Sequence, residues 1–177
     1  MNRPPYVSQN WLSFIKNPDE NEQLSELIAF WSVRSCGLAC ASSAIEFLTG
    51  KVVSQVSLFN KCIRMGGYSS NGWKHRELAS TISDFGIQAR SQPMTMTDVR
   101  NLLSENYLII VSVTHKFPVD GRKGGHLVLI YSIGEIDGEE CIFFMDPSGW
   151  GKDNTFVTLD RFSKSYSMKG ISLKGVD

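Results

Sequence analysis

The chain carries no excess of charge of either sign: eighteen basic and eighteen acidic side chains in 177 residues leave a formal net charge of zero. That balance removes bulk electrostatics as a way of holding nucleic acid or an anionic membrane, so no nucleic-acid partner is expected. No apolar run approaches the ~20 residues a membrane span requires, and no span is expected. The opening residues, MNRPPYVSQNWLSF, lack the apolar core of a signal peptide, which makes a cytoplasmic location the simplest expectation. Repeats, low-complexity tracts and linkers rich in Pro, Gly or Ser are also missing, so the length reads as one domain. The cysteines are few and poorly spaced for metal: Cys36 and Cys40 lie one helical turn apart, while Cys62 and Cys141 are isolated. A structural zinc needs four ligands, so neither metal nor cofactor is expected, and the thiols are expected to be reduced.

What is present centres on Cys36 in the run FWSVRSCGLACASSAIEFLTG. Leu38, Ala41, Ile45 and Leu48 are spaced 3, 4 and 3 apart, with Gly50 as the stop, so a helix is predicted to begin at the cysteine. The first turn of a helix offers unpaired N–H groups and the positive end of the macrodipole, which favour a thiolate over a thiol. Free cysteine is more often a small buried hydrophobe, and Cys40, one turn on, reads that way, as core or as the wall of a pocket below Cys36.

A nucleophile needs a base, and the chain has three histidines. His126 opens GGHLVLIYSIG, an apolar run that reads as a buried strand. After a second such run, CIFFM, comes Asp146 in the turn MDPSGW. The order Cys, His, Asp, with the nucleophile on a helix start and both partners at strand ends, suits thiol-based acyl transfer. His115 is the competing base, but it ends LIIVSVTH and runs into the loop KFPVDGRKGG, a poor platform for catalytic geometry. His75 sits among Lys74, Arg76 and Glu77 on a predicted solvated helix face, and Asp120 reads as a turn residue.

The elements fall into two halves. Residues 1–30 read as a polar extension that wraps the domain, ending in helix-compatible NEQLSELIAF. Helices are predicted from Cys36, over Ser54 to Met65, over WKHRELASTISDF and after the capping-box pair Thr95 and Asp98, with GGYSSNG as a loop. From Tyr107 onward LIIVSVTH, HLVLIYSIG and ECIFFMD read as strands, the last two joined by Asp137-Gly138, a strong hairpin signal. FVTLDRFSKSY and KGISLKG add a shorter strand or two with a helical turn between them. Helices first and an antiparallel sheet after give an α+β class.

These residues resemble the papain-like cysteine peptidases related to the bacteriocin-processing, double-glycine leader peptidase domains of ABC exporters. RSCGLAC is similar to that family's nucleophile segment, NGWKHRELASTISDFGIQA to its middle helix and glycine stop, LIIVSVTH to the following strand, GGHLVLIYSIG to its histidine strand and FMDPSGWG to its Asp-Pro turn. The resemblance covers residues 31–177. It implies a papain-like fold, with N-terminal helices packed on a C-terminal antiparallel sheet, and a cysteine peptidase activity on a peptide or protein substrate. It also implies Cys36 as nucleophile, His126 as general base and acid, and Asp146 as the group that orients the imidazole.

One position departs from that family. Six residues before the nucleophile, where the family has an amide donor to the oxyanion, this chain has Phe30; the nearest upstream glutamine in this segment, Gln23, is thirteen residues away. Ser32, Arg34 and Trp31 are the candidate replacements. Trp31, Ser32, Trp73 and Trp150 are the expected substrate-binding residues, and the loop from Lys116 to Gly125 is a candidate lid. Three functions remain open: hydrolysis of a peptide or isopeptide bond through a thioester, acyl transfer to an amine in a biosynthetic pathway, and a catalytically weak peptide-binding module. The sequence leaves the oligomeric state open.

Overall fold

The computed structural model describes residues 2–10 and 22–176, so the expected wrap over residues 1–30 lies partly outside the described residues. The helices are α1 (Glu22–Ser32), α2 (Cys36–Thr49), α3 (Gln55–Arg64), α4 (His75–Ser83), α5 (Met96–Ser104) and α6 (Leu159–Ser165). The strands are β1 (Tyr68–Ser69), β2 (Gly72–Trp73), β3 (Ile87–Pro93), β4 (Leu108–Val113), β5 (His126–Ile136), β6 (Glu139–Met145), β7 (Phe156–Thr158) and β8 (Tyr166–Gly175). β1 and β2 form a small hairpin, and the other six make an antiparallel sheet in the order β3-β8-β4-β5-β6-β7.

Both faces of that sheet are covered, which is why its middle strands read as continuous apolar runs. Because side chains alternate across a strand, Leu108, Ile110, Leu127 and Leu129 face one core, shared with α2, α3 and α4. Ile109, Val111, Val113, Val128 and Ile130 face the other, which holds Val99 and Leu103 of α5 and Phe162 of α6. The N-terminal helices thus pack on the sheet as the α+β reading requires, and two later helices close its far face.

Local signals set most boundaries. α2 ends at Gly50, whose φ of 70° lets its N–H reach the Glu46 carbonyl. Thr95 and Asp98 form the complete capping box of α5. Asp137 and Gly138, at φ 53° and 81°, make the turn between β5 and β6.

Three details differ from the sequence reading. GGYSSNG is not a plain loop: Tyr68 and Trp73 pair across the β1–β2 hairpin, whose turn is Ser70–Asn71, followed by Gly72 at φ 96°. Trp73 therefore precedes α4 and does not belong to it. β3 is polar and was not anticipated; it is an edge strand, paired only with β8 and ending at Pro93, a place where sequence pattern is weakest. β8 is not short: its ten residues lie between β3 and β4.

Candidate active site

The site forms where the start of α2 meets one end of the sheet. β5 and β6 are antiparallel neighbours, so the first residue of one, His126, and the residue after the last of the other, Asp146, lie at the same end. His126 Nε2 and Asp146 Oδ1 are 2.8 Å apart, and the same oxygen accepts the Ser148 N–H at 2.8 Å. Asp146 is fully buried and His126 nearly so.

α2 reaches this end of the sheet because its first turn is small. A Cβ on Gly37 would lie 2.9 Å from Leu127, 3.0 Å from Trp73 and 3.1 Å from Leu78, so a side chain there would push on all three and glycine eases the close approach of the helix start to β5. One turn on, the Cys40 thiol donates to the Leu127 carbonyl at 3.4 Å. Both contacts fall on the residue next to His126. Cys36, half-buried at the helix mouth, lines the same cavity as His126 and lies near enough to raise its pKa. With Nε2 held by Asp146, the nitrogen left to face the thiol is Nδ1.

The electrostatics follow from burial and partners. Burial pulls His126 down, but the hydrogen bond to Asp146 and the interactions with Cys36 and the Asp146 charge outweigh it and push its pKa up to about 9. Burial alone would raise the Asp146 carboxyl; the His126 hydrogen bond and charge, with the Ser148 N–H, hold it below its ordinary value. Cys40 behaves oppositely to a nucleophile, since complete burial pushes its thiol up.

His115 is exposed, as a residue at a loop start should be, yet it is part of the site's wall. Its ring meets the His126 ring edge-on at 5.1 Å, and its Nε2 and Ser148 Oγ are 3.1 Å apart. Burial and the neighbouring His126 lower its pKa. The ligand atoms of His115, His126 and Asp146 lie within 4.8 Å of one another, close enough to share a metal ion, although His126 and Ser148 already occupy Asp146 Oδ1.

The other expected site residues separate into two groups. Trp73 lines the cavity of about 470 Å³ that holds Cys36 and His126. Trp31 stacks behind it among Phe59, Tyr68 and Trp73, Ser32 is buried, and Trp150 packs between His115 and the Phe117–Phe144 pair. Among the oxyanion candidates, Arg34 lines the same cavity, with its guanidinium 3.9 Å over the Phe30 ring and donating to the Phe30 carbonyl. Gln23 has a side chain outside the described residues. The candidate lid is anchored at both ends, by buried Phe117, whose carbonyl accepts from Arg161, and by Gly124, whose N–H donates to Ser165.

The sequence reading made residues 1–30 an extension that wraps the domain but singled out none of its residues. Residues 2–10 cross the helix layer as a strap, taking a hydrogen bond from Ser43 to the Pro5 carbonyl and one from Gln55 to the Ser8 carbonyl, each 2.6 Å. They then reach the Asp146 turn: Tyr6 donates to the Ser148 carbonyl at 3.0 Å and the Gln9 N–H to the Pro147 carbonyl at 2.9 Å. The Gln9 side chain meets the Val33 carbonyl, three residues before Cys36, at 3.4 Å, and its Oε1 is buried without a partner. No local motif marks Gln9, because its neighbours in space are far away in sequence. Gly151 was also unforeseen: a Cβ there would lie 2.0 Å from the Asp146 carbonyl oxygen, so glycine lets the short 3₁₀ turn at Gly149–Lys152 close over the acid.

No protein-family profile and no curated protein matches the chain. Solved structures do. The peptidase domain of Streptococcus ComA, a bifunctional ABC transporter of a quorum-sensing pathway, superposes with a TM-score of 0.58 at 19% identity, covering 81% of this chain and 93% of that one. A double-glycine motif protease from an AMS/PCAT transporter, solved with its leader peptide, gives a TM-score of 0.53 at 15% identity over 78% of this chain and 86% of that one. Among the described residues no single helix is long and apolar enough to cross a membrane. The chain has the α+β papain-like fold of the peptidase domains found in bacteriocin-processing ABC transporters.

Proposed function

We propose that the protein is a cysteine hydrolase that cleaves a peptide or isopeptide bond through a thioester on Cys36. The observation that carries this reading is the buried His126–Asp146 bond, which leaves His126 Nδ1 for the thiol at the open end of α2. Cys36 Sγ, as thiolate, attacks the substrate carbonyl carbon, and the carbonyl electron pair moves onto oxygen. As the C–N bond breaks, His126 gives its proton to the departing amine. Water then attacks the thioester, His126 takes its proton, and a carboxylic acid leaves as the thiolate returns. Asp146 keeps the imidazole in one orientation and tautomer throughout.

The oxyanion needs donors that do not have to reorganise. The Cys36 N–H, unpaired because it opens a helix, is one. The second in this proposal is the Gln9 amide, delivered from the strap to the backbone before Cys36, where the position six residues upstream holds an aromatic ring. The leader peptide bound by the AMS/PCAT protease supports a peptide substrate here.

Incubating the protein with a proteome-derived peptide pool and sequencing new termini by mass spectrometry tests the reading. New termini formed by the wild type and absent with Cys36→Ala are expected. A pool left intact, with no acyl adduct on Cys36, overturns hydrolysis; an adduct resolved only by added amines replaces it with acyl transfer.

A further inference from the structure

The cavity at Cys36 does not end at the thiol. A second cavity of about 620 Å³ adjoins it, the two sharing Asn71, Gly72, Trp73, His75, Ser112 and Gly125 in their walls. Together they make a cleft that runs from Cys36, between the β1–β2 hairpin and the loop before His126, out to the junction of β3 and β8. Its far half is charged in one sense. Lys74, Arg76, Lys123 and Lys169 line it, and Glu77 is its one carboxylate. That carboxylate is already engaged, by the Arg76 guanidinium at 2.9 Å and by the nearby Lys74 charge. Lys123 and Lys169 are exposed and, among the described residues, have no acidic partner. The rest of its lining includes the hydroxyl and amide groups of Ser69, Ser91, Gln92 and Ser167.

Two unpaired ammonium groups facing one cleft repel each other, and the chain as a whole has no surplus of positive charge to make such a cluster commonplace. Resting on the hydrolase reading, we propose that this half of the cleft selects substrate segments carrying acidic side chains, with Lys123 and Lys169 as the specificity-determining residues. Lys123 is three residues before His126 and Lys169, on β8, pairs with Pro93, both in the wall of this cavity, so in the proposal a strand of substrate whose reacting carbonyl lies at Cys36 passes both. Ion pairs formed there are partly exposed, so each contributes modestly and both weaken with salt. Two together amount to about tenfold in affinity.

The test uses the full chain with Cys36→Ala, so that nothing is turned over, and fluorescein-labelled octapeptides acetylated and amidated at their ends, so that only side-chain carboxylates differ. Anisotropy should show a peptide with two Glu binding about tenfold tighter than its Gln counterpart. The preference should shrink at 0.5 M salt, disappear in Lys123→Gln/Lys169→Gln and reverse toward Lys-containing peptides in Lys123→Glu/Lys169→Glu. Equal binding of Glu and Gln peptides overturns the proposal, as does a preference that survives both double variants. A single-stranded oligonucleotide bound more tightly than the Glu peptide through the same lysines overturns the assignment to peptides. Failure of the parent reading is scored separately, on wild-type protein, by whether iodoacetamide labelling of Cys36 depends on His126; acid selectivity with an inert Cys36 would mean a binding cleft without the hydrolase.

Discussion

The two ends of the cleft are built on opposite principles. At the sheet end, His126 and Asp146 are buried, hydrogen-bonded to one another and held by the termini of two neighbouring strands, with Cys36 brought in beside a closely packed glycine. At the outer end, Lys123 and Lys169 are exposed on a loop and on β8, with no acidic partner among the described residues. Burial makes an electrostatic interaction strong and geometry exact to a fraction of an ångström, which bond-making chemistry needs. Exposure makes each contact weak, adjustable and salt-sensitive, which suits the choice among substrates. On the proposed function, the difference puts the chemical step at one end of the molecule and selectivity at the other.

The strongest way to break this comparison is to remove the buried end. Cys36→Ala or His126→Ala should each lower turnover by about 10⁴-fold or more while leaving circular dichroism unchanged, and combining them should cost little extra because they act as a unit. Asp146→Ala comes next: a loss of roughly 10³-fold in kcat, with about 3 kcal/mol of stability lost in urea melts because a buried charged partner is left alone. Asp146→Asn, which still accepts from His126 Nε2–H, should recover most of the activity; equal damage from both variants would mean that charge, not orientation, is what Asp146 supplies. Gln9→Ala tests the strap. It should cut kcat by about a hundredfold with KM nearly unchanged, the pattern of a donor used only in the transition state. A rise in KM alone would make Gln9 a substrate contact.

The smallest effect is on pH and stability. The folded-state pKa of His126, about 9, lies above its unfolded value of ~6.5, so the stabilisation from its protonated form is complete below about pH 6.5 and is lost as pH climbs through 9. Urea melts should show stability falling by roughly 2–3 kcal/mol over that window in the wild type and by much less in His126→Ala.

How much of this was legible beforehand follows the same division. The helix at Cys36, the strands bearing His126 and Asp146 and the Asp137-Gly138 turn each rest on signals within a dozen residues, periodicity or turn chemistry, and the fold followed from them. β3 was invisible because an edge strand need not be apolar, and the hairpin at Tyr68 was hidden because two paired residues carry no period. The contacts of the N-terminal segment, Gln9 among them, were invisible for another reason: its bonds run from residues 5–9 to residues 33, 43, 55, 147 and 148, a set of contacts that only the tertiary fold brings together. Gly37 was in plain view beside the cysteine, but its purpose depends on Leu127, Trp73 and Leu78, which no local pattern connects to it.

The central claim, that Cys36 and His126 form a thiolate–imidazolium pair, is tested most directly by the rate of Cys36 alkylation with iodoacetamide between pH 4 and 10, located by peptide mass spectrometry, in the wild type and in His126→Ala. The account predicts fast labelling of Cys36 alone at pH 6 to 7, with Cys40 silent, and a steep loss of that neutral-pH reactivity when His126 is removed. A Cys36 that labels only at alkaline pH, or equally well without His126, would contradict it and leave a peptidase-shaped fold without the chemistry.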